Sequence, residues 1–107
     1  MSETKDRRAS ERFPVNVDAS CPFLSPVVEH FGPAKILNIS MEGIGLLVSR
    51  PLEPGTLLAV TLENVAKSYA RTVLVRVVHS TPGPGNHLVG GTFTTPLPYQ
   101  DLTVLVM

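Results

Sequence analysis

The chain has no tryptophan, one cysteine (Cys21), and only two tyrosines and four phenylalanines among its 107 residues. A single cysteine excludes an internal disulfide framework and a multi-cysteine zinc site. Its place on the apolar face of a predicted strand marks a buried structural thiol rather than a nucleophile. Surplus charge is also missing, with nine basic residues balancing nine acidic ones. A protein that coats DNA or RNA carries a basic surplus, so no nucleic-acid polymer is expected as partner. The shortage of aromatics argues against an OB- or SH3-like barrel that stacks single-stranded bases. No apolar run approaches the ~18 residues of a membrane span. The polar opening residues lack the apolar stretch of a secretory signal, which points to a cytoplasmic protein. His30, His79 and His87 stand at no metal-ligand spacing. Nor is there a nucleophile-elbow motif. No metal, cofactor or enzymatic activity is expected, and the length is that of one domain.

What the sequence does hold is β signal. Phe13, Val15, Val17, Ala19, Cys21 and Phe23 alternate with Pro14, Asn16, Asp18, Ser20 and Pro22. Period two predicts a strand with one buried face over 13–23. Pro14 and Pro22 cannot donate to a ladder and belong at its ends or on an edge. Residues 34–39, 44–49, 57–63, 70–79 and 87–94 are rich in Val, Leu, Ile and Thr and read as further strands. Short Gly- and Pro-containing breaks between them imply antiparallel pairing. Gly83-Pro84-Gly85 is one such turn, and its proline removes an N–H that a phosphate cradle would need. Residues 73–78 are apolar on both faces apart from Arg76, which predicts a barrel wall with a further element packed outside. Arg76 itself reads as snorkelling out of that wall. The last segment, from Pro96 to Met107, is open between a helix with Asp101 in its first turn and a strand over 103–106.

Two motifs carry candidate chemistry. Arg7, Arg8 and Arg12 precede the first predicted strand, with Arg8 and Arg12 four positions apart. Arginine suits bidentate recognition of phosphate and of the guanine O6/N7 edge, although such a run can also be a solvated tail paired with Asp6 and Glu11. The second motif is Asn38-Ile39-Ser40-Met41-Glu42-Gly43, a turn between two strands. Asn38 and Ser40 have period-two spacing and would emerge together on the face opposite Ile39. They could read a base, or they could bond their own backbone in the turn.

An Arg-x-x-x-Arg followed by Asn-x-Ser-x-x-Gly in a small β-barrel resembles the PilZ domain family. The apolar strand from Val73 to Val78, and Leu88-Val89-Gly90-Gly91-Thr92-Phe93 as closing strand, extend the resemblance over about residues 7–97. It implies an all-β fold, a six-stranded antiparallel, Greek-key-like barrel of the PilZ split-barrel type. The domain would cover 7–107 behind a flexible lead of residues 1–6. It implies binding of the second messenger cyclic di-GMP by Arg8, Arg12, Asn38, Ser40 and Gly43. Arg7, just before the first motif arginine, would bear on whether one or two ligand molecules are held. Gly43 would leave room for a ring lying on the turn. A downstream protein partner is implied without being named, and the rival is a PilZ-like adaptor that binds no nucleotide. Two features depart from the family. One is a Pro-bounded connection over 24–34 containing Val27, Val28 and Phe31, which would cover a barrel end or offer a partner surface. The other is a C-terminal segment shorter than the family's usual helix, either a minimal version or the end of a truncated piece.

Overall fold

The computed structural model describes residues 12–26 and 32–107. The expectations for the 1–6 lead, for Arg7 and Arg8, and for residues 27–31 of the Pro-bounded connection lie outside the described residues. Six strands form: β1 (Ala19–Pro26), β2 (Gly32–Ile39), β3 (Gly43–Val48), β4 (Leu57–Asn64), β5 (Tyr69–Gly83) and β6 (Asn86–Phe93). One helix, α1 (Tyr99–Val106), follows them. The strands close into a barrel in the order β1-β2-β3-β6-β5-β4, every neighbouring pair antiparallel. Residues 49–56 carry the chain from β3 to β4, which is not its neighbour, and this crossing gives the barrel its Greek-key character.

Alternation explains the wall. In β4, Leu58, Val60, Leu62 and Asn64 point inward and are buried, while the residues between them are partly exposed. Ile44, Leu46, Val75, Val77 and Val89 complete the same core from β3, β5 and β6. The β5–β6 hairpin turns through Pro84 and Gly85, and Gly85 takes the positive φ of 77° that favours glycine. Cys21 is buried in the core, 1 % exposed.

The helix closes one barrel end. Leu102 and Leu105 drop into the core, and Leu97, ahead of the helix, donates its N–H to the Met41 carbonyl. Asn64 is wholly buried, and its Nδ2 donates to the Val104 carbonyl at 2.9 Å. The open choice for 103–106 is thus resolved as helix. Apolar contacts at i and i+3 outweigh the β-branched composition of the segment.

Two expectations need correction. The alternating run 13–23 is not one strand, because β1 starts only at Ala19. Asn16 accepts the Asp18 N–H on its side chain and the Ala19 N–H on its carbonyl, which turns the chain. Val17 is left 95 % exposed. Pro22 lies within β1, where the register slips against both β2 and β4, so its missing donor falls at an irregularity. Nor is 73–78 covered on both sides. Val75 and Val77 face the core, but Leu74 and Val78 are 45 % and 54 % exposed. The helix caps the barrel end instead of packing on that wall.

Candidate functional site

Arg12 is placed by its neighbour. Phe13 forms an antiparallel bridge with Ile39, its N–H donating to the Ile39 carbonyl at 2.8 Å and its carbonyl accepting the Ile39 N–H at 2.9 Å. That bridge ties the incoming chain to the end of β2. Arg12, one position earlier, then reaches Asn38: its Nη1 donates to Asn38 Oδ1 at 2.8 Å. The arginine also explains Gly43. A Cβ there would fall 2.7 Å from Arg12 Nη2 and 2.6 Å from the Gly91 carbonyl oxygen. The glycine of the second motif therefore admits the guanidinium of the first.

Ser40 has a different occupation. It is buried, and its Oγ accepts the N–H groups of Gly43 at 3.0 Å and Glu42 at 3.2 Å. Its backbone N–H donates to the Gly43 carbonyl at 2.9 Å. Its hydroxyl thus bonds the backbone of its own turn, and it is not displayed beside Asn38 on the outer wall. The turn it holds keeps Gly43 under Arg12. Arg76 donates to the Gly55 carbonyl at 3.3 Å, away from Asn38.

Arg12 and Asn38 border a concavity of about 470 Å³, within the ~300–1,000 Å³ usual for small-ligand sites. Strand register explains it. Asn38 on β2 pairs with Gly45 on β3, Gly45 with Gly90 on β6, and Gly90 with His79 on β5. Paired residues in antiparallel strands share a face, so these four form one transverse row. Its two middle members have no side chain. Asn38 leans over one, since a Cβ on Gly45 would lie 2.9 Å from Asn38 Oδ1. His79 leans over the other, since a Cβ on Gly90 would lie 2.5 Å from His79 Cε1. The result is a groove with a backbone floor, with Arg12 and Asn38 on one side and His79 on the other.

Of the candidate site residues singled out in the sequence, Arg12 and Asn38 line this groove, and Ser40 and Gly43 build the turn beside it, while His79, Gly45 and Gly90 of the groove are not among them. A signal for the glycines was present, because glycine inside an apolar strand marks a close approach of backbone or ligand. In the sequence His79 bears only on metal binding, and it stands at no ligand spacing. Among the described residues no group of three or more His, Cys, Asp or Glu could hold a metal ion, and no helix is long and apolar enough to cross a membrane.

Over residues 6–106 the chain matches the family described as PilZ domain. Among solved structures it is similar to the Bacillus subtilis inhibitor of motility (MotI/DgrA), with a TM-score of 0.67 at 16 % sequence identity. That likeness covers 94 % of this chain and 48 % of the other, so this chain spans about half the length of its structural relative. At such identity the likeness is one of fold. No curated protein matches the chain.

Proposed function

The chain belongs to the PilZ domain family, and from that premise we propose that it is a receptor for cyclic di-GMP. PilZ domains are receptor and adaptor domains rather than enzymes. The observation that carries the receptor reading is the Arg12–Asn38 pair at 2.8 Å on the rim of a glycine-floored groove. An adaptor needs neither a positioned guanidinium nor an empty floor beside it.

The ligand offers two phosphodiesters and two guanines. Each guanine presents O6 and N7 acceptors on one edge, which a guanidinium matches with two hydrogen bonds. Asn38 holds Arg12 through its carbonyl oxygen. That contact pre-orients the guanidinium and reduces the ordering cost of binding. The Asn38 amide also brings donors to the same rim. Arg7 and Arg8 would close over the ligand from the arm, and Arg7 would govern whether one molecule or a stacked pair is held. Ser40 and Gly43 act on the ligand through Arg12, by setting the turn beneath it.

Two bidentate arginines make about four charge-assisted bonds of about 1.5–3 kcal/mol each, while ordering some six arm residues costs about 1–2 kcal/mol each. The two contributions nearly cancel. Ligand can then decide whether the arm is folded onto the barrel, and a downstream protein can read that difference. Equal amide exchange in the arm with and without saturating ligand would remove this relay.

Calorimetric titration with cyclic di-GMP, beside GMP and cyclic di-AMP, tests the receptor reading. Selective binding is expected, with a stoichiometry of one or two. Arg12→Ala should weaken it at least ~10-fold, the discrimination of one bidentate arginine–guanine pair. A folded chain that ignores cyclic di-GMP would leave the adaptor reading in its place.

A further inference from the structure

The groove has a second wall that neither motif includes. His79 reaches the outer face only because β5 is irregular. Val77 pairs with Gly91 and His79 with Gly90, so Val78 is an extra residue. From the buried Val77, strict alternation would send Val78 outward and His79 into the core. The bulge reverses that parity, and both Val78 and His79 are exposed. The opposite wall is built the same way. Ile36 pairs with Leu46 and Asn38 with Gly45, so Leu37 is the extra residue that turns Asn38 outward. Two bulges, each one position before a wall residue of the same transverse row, re-aim Asn38 and His79 at one pair of glycines. Bulges give up ladder regularity and concentrate where a side chain must be re-aimed.

The two walls differ in chemistry. The Arg12–Asn38 side offers hydrogen-bonding edges. The other side offers the only ring among the described residues that line the groove, flanked by exposed Val78 and Leu88. Between them lie two strands whose middle residues are glycine, so a flat heterocycle can rest against backbone there. Aromatic side chains, histidine among them, receive extruded bases by stacking on their planes.

We infer that His79 is the second wall of the nucleotide site and stacks its imidazole on a guanine of the ligand. This inference rests on the cyclic di-GMP reading of the same groove and assigns that site a positioning residue outside its motifs.

The test is calorimetric titration of the full chain and its His79→Ala and His79→Phe variants with cyclic di-GMP, with apo melting temperatures recorded. A readout on the unaltered chain, the His79 ring-proton NMR signal during the same titration, covers any variant that folds poorly. The alanine variant should lose about tenfold in affinity, the scale of one base–aromatic stack. Phenylalanine should recover most of that loss, and the His79 ring proton should move upfield while His87 stays put. Alanine binding as tightly as the unaltered chain, or a loss that phenylalanine leaves unrepaired, would overturn the stacking role and leave the receptor reading intact. Failure of the unaltered chain to bind would overturn both.

Discussion

On the β4–β5 side of the barrel, side chains answer one another. Thr61 and Thr72, cross-strand partners, share a hydroxyl hydrogen bond of 2.9 Å. Beside them the Asp101 carboxylate of α1 accepts the Tyr69 hydroxyl and the Arg71 guanidinium, each at 2.8 Å. Around the wall, from β2 through β3 and β6 to β5, the outer row reads Asn38, Gly45, Gly90, His79. Its middle is empty and its flanking side chains lean over bare backbone. The first side ties the helix to the barrel and stores stability. The second gives up side-chain packing and stores volume. In a barrel of this size, such a difference separates the wall that holds the fold from the wall that can hold a ligand.

The sharpest way to break this comparison is to add one methyl group on either side of the wall. Gly91 follows Gly90 and faces inward. A Cβ there would fall 2.5 Å from Val75 Cγ1 and 2.8 Å from the Arg76 carbonyl oxygen. Val75 is fully buried and β-branched, so it has no easy rotamer to escape into. Gly91→Ala should therefore cost about 1–3 kcal/mol, the range for overpacking a filled core. Urea denaturation at neutral pH measures it. An unchanged midpoint would mean that the strand shifts freely, and the close-packed reading of the wall would fail.

How far the sequence disclosed this contrast depends on parity. β4 was legible because its apolar residues alternate without interruption. The Asn38–Gly43 turn was legible because its residues act locally. Arg12 was legible because arginine beside a strand start has a recognisable use. His79 was not, because bulges at Leu37 and Val78 shift the inward–outward count by one, and composition gives no sign of such a shift. The run 13–23 misled in the opposite way. Its alternation is perfect, yet a proline without a donor and an asparagine that captures nearby N–H groups outweigh it. The apolar stretch 73–78 suggests double coverage, but Leu74 and Val78 are exposed and the helix docks at the barrel end.

A second intervention acts on the stabilising side. Burial pushes the Asp101 carboxyl up, but hydrogen bonds from Arg71 and Tyr69 overcome it, so the group titrates below the usual carboxylate range. A carboxyl lowered in the folded state adds stability above its unfolded pKa and loses it as pH falls through the folded value. Burial, and then the hydrogen bond to Asp101, push the Tyr69 phenol well above its usual range. That contribution is complete below the unfolded phenol pKa, about 10, and is lost as pH rises beyond it. Asp101→Ala should cost about 1–2 kcal/mol at pH 7, chiefly through the Tyr69 bond. The Arg71 limb adds little, because that side chain is 47 % exposed and screened by solvent. The stability gap between the variant and the unaltered chain should begin to narrow below about pH 4 and close only once pH has fallen through the lower folded value. A gap that does not narrow at all as pH falls below about 4 would show that Asp101 acts by packing rather than by charge.

The smallest change in stability belongs to Gly90→Ala, one residue from the most damaging methyl group. Here the new Cβ meets a side chain first. Its three nearest neighbours are Cε1, Nε2 and Nδ1 of His79, at 2.5, 2.7 and 3.2 Å. An exposed imidazole can swing aside where a buried valine cannot. The substitution also lowers the entropy of the unfolded chain, which favours folding by about 0.4–1 kcal/mol. The net effect on the apo protein should lie within about 0.5 kcal/mol of zero. Binding should respond differently, because the methyl group raises the floor of the groove and displaces its second wall together. Cyclic di-GMP affinity should fall by at least the ~10-fold set by one base–aromatic stack, while the melting curve stays in place. Denaturation and titration of the same preparation separate these outcomes. Lost stability with retained binding would reverse the assignment, making the glycine row a packing requirement and moving the ligand elsewhere on the barrel.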